Sequence, residues 1–255
     1  MSAVEGTDLR AADGRVPGRR GLATRQKLLE CTAEMLGTSS YRELKVIDIA
    51  REAGTSPATF YQYFPDVESA ILVLAEEMAK DVAARLSGVA AAGPWKGKEG
   101  YATALRLVDA FFAFWEDHRS VLRVVDVSTQ EGDARFRQIR GRLLVDVTDA
   151  LQEPFRQIQR EGKHPAHLDP RAVAGSLVAM LANVASHQYG FEFWGIRTDD
   201  TRRSITRIMY TTVTGQKPPA GAIPAGWDDK IMHGTFRLGD VTVMVSAACV
   251  AVTTN

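Results

Sequence analysis

The chain has 255 residues, of which 45% are hydrophobic and 24% charged, with 31 basic side chains balanced by 31 acidic ones. That composition suits one or two globular domains with a sizeable core, and no apolar run approaches the roughly 20 residues that cross a bilayer. Cys31 and Cys249 are too few and too far apart for a disulfide framework or a thiolate metal site, so neither a metal nor a cofactor is expected.

Residues 1–21 read as a flexible basic arm. Between Arg10 and Lys27, the bases Arg10, Arg15, Arg19, Arg20, Arg25 and Lys27 face only Asp13. Such a Gly- and Pro-containing stretch can track phosphates or enter a minor groove, or it can be a solvated tail. It is too polar and too mixed in charge for a signal peptide, and the expected location is cytoplasmic.

A helix is predicted from Thr24 to about Gly37, with Leu28, Leu29, Thr32, Met35 and Leu36 on one side. The next stretch, Val46 to Phe64, organises the chain. Val46, Ile49, Ala50 and Ala53 recur at i, i+3, i+4 and i+7, one apolar stripe of a short helix. Gly54 stands where a helix C-terminus wants positive φ. Ser56 and Pro57 then form an N-cap and a first-turn proline, which start a second helix whose buried face is Phe60 and Phe64. Two short helices across a tight Gly turn make a helix-turn-helix, whose second helix enters the DNA major groove.

The opposite face carries Ala58, Thr59 and Gln62, flanked by Tyr61 and Tyr63. A methyl, a hydroxyl and an amide suit base edges, and phenols suit phosphate oxygens. The candidate DNA-contacting residues of this motif are Thr55, Ser56, Pro57, Ala58, Thr59, Tyr61, Gln62 and Tyr63.

The stretch YRELKVIDIAREAGTSPATFYQYFPDVESAIL closely resembles the N-terminal signature of the TetR family of bacterial regulators, over roughly Thr24 to Leu74. The resemblance implies an all-α fold, with a three-helix DNA-binding domain followed by a helical domain for ligand binding and dimerisation. Two positions depart from the family pattern. Lys45 replaces the usual Thr or Ser cap of the second helix, and Val67 replaces a Lys that usually meets phosphate. Lys45 could itself reach phosphate.

Pro65 and Asp66 end the recognition helix and cap a fourth, Val67 to about Leu86, striped by Ile71, Ala75, Met78, Val82 and Leu86. It is long enough, at roughly 30 Å, to join two domains mechanically. Gly93, Pro94 and Gly97 mark a loop. Tyr101 to Asp117 is dense in aromatics: Phe111, Phe112, Phe114 and Trp115 cover a wider arc than one core-facing stripe requires. Given the family, part of that arc is expected to line a cavity for an apolar ligand, with Met180, Asn183 and Phe193 as further walls.

Ala134 to about Glu161 forms another helix, containing Pro154. Asp169 and Pro170 start one over about Arg171 to Tyr189, and Thr198 and Asp199 open a last one ending at Gly215. The resemblance places the dimer interface on this final pair, with Leu177, Leu181, Val184, Ile205, Ile208 and Met209 as candidates. DNA geometry agrees, because a two-fold dimer reads two half-sites.

The expected domain limits are therefore 22–66 for DNA binding and 67–215 for ligand binding and dimerisation. Residues 216–255 form a linker and an appended tail, whose IMHGTFRLGDVTVMVS reads as a β-hairpin about Gly239 and Asp240. That tail resembles a fragment of a glyoxalase/bleomycin-resistance module, too short to hold a metal, and His233 reads as an ordinary strand residue.

A phosphate-binding Gly loop, an H-E-x-x-H pair and a G-x-S-x-G elbow are all missing. His118, beside Glu116 and Asp117, reads as solvated, and no catalytic residue is expected. The leading expectation is a nucleoid-associated, ligand-responsive repressor that binds a palindromic operator as a dimer and is released by a small lipophilic molecule. The alternative is a lipophilic-ligand sensor or sequestering module that binds DNA weakly and acts through a protein partner.

Overall fold

The structure is a computed structural model that describes residues 18–222 together with residues 234–238, 241–246 and 249–254. For the last three segments and for residues 81–84 it describes the backbone alone. Over residues 18–222 the fold is all-α.

Helix α1 (Arg19–Thr38) begins earlier than the sequence suggests, so Arg19 and Arg20 form its first turn rather than part of a tail. Arg10, Asp13 and Arg15 lie outside the described residues. Helices α2 (Val46–Glu52) and α3 (Pro57–Tyr63) follow. Their inward side chains Ile49, Ala53, Phe60 and Phe64 close on Leu28, Leu29 and Cys31 of α1 to make a small first core. Burying a side chain such as Phe60 is worth about 1.5–3 kcal/mol. Burial also pushes the Cys31 thiol above its usual range, aided by nearby glutamates.

Helix α4 (Val67–Ala92) is capped by the Asp66 carboxylate, which accepts from the Ser69 amide at 2.7 Å. It runs a turn and a half beyond the predicted end, and its 26 residues span roughly 39 Å. Ala70 belongs to the first core, whereas Ile71, Ala75, Met78 and Leu86 belong to the second. One continuous helix thus serves both cores.

The second core is built by α5 (Gly97–Asp117), α6 (Arg119–Gln130), α7 (Ala134–Arg160), α8 (Pro170–Ser186) and α10 (Thr198–Thr214), with the short α9 (Gln188–Phe193) between the last two. Helix α7 lies along α4 and carries Pro154 inside it. The Asp169 carboxylate caps α8 at the Ala172 amide, 2.6 Å away. Gly215 ends α10 at φ 66°, a conformation that other residues adopt only with strain.

Helix α6 is absent from the sequence reading. Its buried face is Val121, Leu122, Val124, Val125 and Ser128, a helical spacing that directly follows α5 with only His118 between them. In the tail the expected hairpin gains a third strand. Strands β1 (Gly234–Leu238), β2 (Val241–Ser246) and β3 (Cys249–Thr254) pair antiparallel in that order, with Gly234 opposite Val245 and Val241 opposite Thr254. His233, Gly239 and Asp240 lie outside the described residues.

Candidate nucleic-acid interface

The turn that aims α3 is closed by three features. Gly54 takes φ 68°, the Thr55 amide donates to the Ala50 carbonyl at 2.8 Å, and the Ser56 hydroxyl accepts from the Thr59 amide at 3.2 Å. Phe60 anchors the helix in the first core with no accessible surface. Ala58 and Gln62 are therefore exposed on the outer face, together with Ser56, Pro57 and Tyr61. Thr55 is partly exposed behind them.

Two expected contacts take different positions. The Thr59 hydroxyl lies 3.0 Å from the Ser56 hydroxyl, so it completes the cap instead of projecting freely toward a base. Tyr63 is half-buried against the first core, its ring 6.4 Å from that of Phe64. The side chains of α3 left exposed are Pro57, Ala58, Tyr61 and Gln62. Lys45 is the N-cap residue of α2 but makes no side-chain cap bond, which leaves its ammonium in solvent.

Arg25 also differs from expectation. It does not extend a basic arm: it is 5% exposed, its guanidinium sits 5.3 Å over the Phe64 ring, and it approaches Glu77 at 4.0 Å. It pins α1 to α4, and nothing in its sequence context distinguishes it from neighbouring arginines. A second link joins the α1–α2 loop and the first turn of α4 to the α6–α7 turn and the first turn of α7. Tyr41 donates to Glu131 at 3.3 Å, Arg42 pairs with the same carboxylate, and Arg135 approaches Glu68 at 3.5 Å. Asp133 caps α7 through the Arg135 amide, and the Arg135 guanidinium bound to it holds its carboxyl down to about 2.

The aromatic group on α5 is core. Phe111 and Phe112 have no accessible surface, so neither borders a void that admits water; Phe114 and Trp115 are buried as well. Their arc is wide because α4, α6, α8 and α10 surround α5. Trp115 stacks on Phe111 at 6.1 Å and meets Phe114 edge-on at 5.3 Å, yet its buried indole N–H finds no acceptor among the described residues. The other expected walls do not join this cluster. Met180 is half-buried, Asn183 is exposed, and Phe193, at the end of α9, is 88% exposed.

The dimer candidates divide in the same way. Leu177, Leu181, Ile205 and Met209 are buried within the protomer, because α8 packs on α5 and α7 and α10 packs on α5. Little of their surface is left to meet another subunit. Val184 is half-buried and Ile208 is 42% exposed. The outward face of this helix pair instead carries Ser176, Ala179 and Asn183 with Ile208, next to the exposed Phe193 and Trp194.

A helix-turn-helix with a bare outer face, joined by one long helix to a separate helical core, defines a DNA-binding transcriptional regulator. The chain belongs to the TetR family: residues 28–69 match the family described as "Bacterial regulatory proteins, tetR family", and residues 86–220 match "Tetracyclin repressor-like, C-terminal domain". Among its relatives is the HTH-type transcriptional regulator EthR of Mycolicibacterium smegmatis, 23% identical over 197 residues, which covers 77% of this chain and 86% of the relative. The nucleoid occlusion factor SlmA of Shewanella halifaxensis is 25% identical over 158 residues, 61% of this chain and 78% of that one. Solved structures share the fold. A tetR-family regulator from Streptomyces coelicolor superposes with a TM-score of 0.57 at 16% identity, over 82% of this chain and 85% of the other. FadR from Bacillus subtilis, solved in complex with stearoyl-CoA, gives 0.55 at 14% identity, over 75% and 98%. Among the described residues no helix is long and apolar enough to cross a membrane.

Proposed function

We propose that the protein is a repressor that binds a palindromic operator as a homodimer and leaves it when a small lipophilic molecule binds. The observation that carries this reading is the exposure of Ala58, Tyr61 and Gln62 on a helix whose other face is locked by Phe60. One such helix covers too few base pairs for a specific site, so two subunits are needed to read two half-sites. The outward faces of α8 and α10, with Ala179, Asn183 and Ile208, are the surface offered for pairing.

The ligand acts on the core around Trp115. With Phe111 and Phe112 fully enclosed, a lipophilic molecule enters only by parting α5 from its neighbours, and an acceptor on that molecule would satisfy the indole N–H. The FadR structure holding stearoyl-CoA supports an acyl-bearing or similarly apolar class. Parting the core displaces α4, whose first turns belong to the DNA-binding domain, and so changes the spacing of the two recognition helices. Coupling of this kind is typically about 1–3 kcal/mol, roughly a 5- to 150-fold change in affinity. The test is a fluorescence-anisotropy titration of DNA from upstream of the protein's own gene, with and without lipophilic extract of the source cells. Tight binding that the extract weakens supports the proposal. Binding that is absent, or indifferent to the extract, contradicts it.

A further inference from the structure

A second cleft lies where the two domains meet, between the α1–α2 loop and α6, and encloses about 380 Å³. Ser39, Ser40 and Arg42 wall it on the DNA-binding side, and Ser120 and Arg123 wall it on the other. Its floor is apolar, formed by the buried Leu36 and Val124. No carboxylate lies among its walls. Beyond the walls, Glu131 accepts from Arg42 and Tyr41 and so neutralises part of the charge on one side. Arg123, across the cleft, has no carboxylate partner among the described residues.

We propose that this cleft binds a small amphiphilic anion, with a carboxylate or phosphate-ester head and a short apolar body. Charge and hydrogen bonding agree on that class. Of the five hydroxyls on the walls, those of Thr38 and Tyr41 already donate to the Met35 carbonyl and to Glu131. Ser39, Ser40 and Ser120, with the two guanidinium groups, offer donors from both sides, which a carboxylate or phosphate accepts in short, charge-assisted bonds. A cation would meet only like charge, and a neutral hydrocarbon would leave the arginines facing an apolar body. The apolar floor excludes bare solvent ions as the best fit and favours a head with a hydrophobic body behind it. The site is separate from the Trp115 core and does not require that core to open. Because its walls come from both domains, an occupant bridges Arg42 to Arg123 and favours the one interdomain orientation that keeps both within reach.

The test uses the full chain with three probes sharing one ring: benzoate, phenyl phosphate and the neutral benzyl alcohol. Amide NMR titration is expected to give saturable shifts confined to the region of Ser39, Ser40, Ser120 and Arg123 for at least one anion, and none that saturate for the alcohol. The anion that binds more tightly identifies the head group. Arg123→Gln should weaken binding by about tenfold or more, the scale of losing a charge-assisted bond. Arg171→Gln, the same charge change on the outer surface of α8, should bind like wild type. Unaltered melting temperatures for both variants establish that they fold. Shifts scattered over all basic residues, equal weakening by both variants, or undiminished binding to Arg123→Gln would each overturn the proposal.

Discussion

Replacing Trp115 by Phe should scarcely change stability, against the usual rule for a buried tryptophan. The side chain is 5% exposed, and its rings pack at 6.1 Å on Phe111 and 5.3 Å on Phe114, contacts that a phenyl ring largely keeps. Losing the remainder of the indole costs about 1–2 kcal/mol of packing. The same change removes a buried N–H that has no acceptor, and an unsatisfied donor of this kind costs about 1–3 kcal/mol in the native state. The two effects oppose each other, so Trp115→Phe should fall within about 1 kcal/mol of wild type, whereas Trp115→Ala should lose about 3–5 kcal/mol. Urea unfolding followed by circular dichroism measures both. If Trp115→Phe alone costs 3 kcal/mol or more, the indole N–H has a partner in the folded protein, and the argument that a ligand would supply one fails.

Ser56→Ala removes the acceptor for the Thr59 amide and should cost about 1 kcal/mol, read as a lower urea midpoint and a several-fold weaker DNA complex; Ser56→Asp should restore stability in the same unfolding assay. Leu181→Glu would force a charge into a site with no accessible surface, so it should unfold the subunit, whereas Ile208→Glu on the outward face should leave a folded subunit that no longer dimerises; sedimentation velocity and circular dichroism separate these results. The carboxyl of Asp133 is held at about 2 by Arg135, below its unfolded value of about 3.9. Its contribution is therefore complete above about pH 4 and lost as pH falls toward 2, and Asp133→Asn should flatten the loss of stability across that window in urea titrations.

The helix-turn-helix was legible because its determinants are local. The 3.6-residue stripe of α2, the Gly54 turn, the Ser56 cap and the Phe60–Phe64 pair each specify backbone within a few residues. The caps Asp66 and Asp169 were readable for the same reason. The packing of the later helices was not, because it depends on which neighbour each helix finds. The apolar stripe of α8, including Leu177 and Leu181, looks like a subunit seam in sequence but is spent on α5 and α7 of the same protomer. Likewise the four aromatics of α5 suggest a lined cavity until α4, α6, α8 and α10 are seen to surround them. Helix α6 was hidden because its stripe is short and begins directly after α5, with only His118 to mark the break between them. The anchoring role of Arg25 needs a long-range partner, Phe64, that no local pattern names.

The most direct test of the central claim is selection from a random duplex library by the wild-type protein, repeated with Gln62→Ala and Tyr61→Phe. The account predicts enrichment of an inverted repeat bound by two subunits. Gln62→Ala should relax the preference at one symmetric pair of base positions by about 1–3 kcal/mol, while Tyr61→Phe should weaken all duplexes alike, as a phosphate contact does. Failure to enrich any duplex, or an inverted repeat whose base preferences are untouched by Gln62→Ala, would contradict the assignment of α3 as the reading helix.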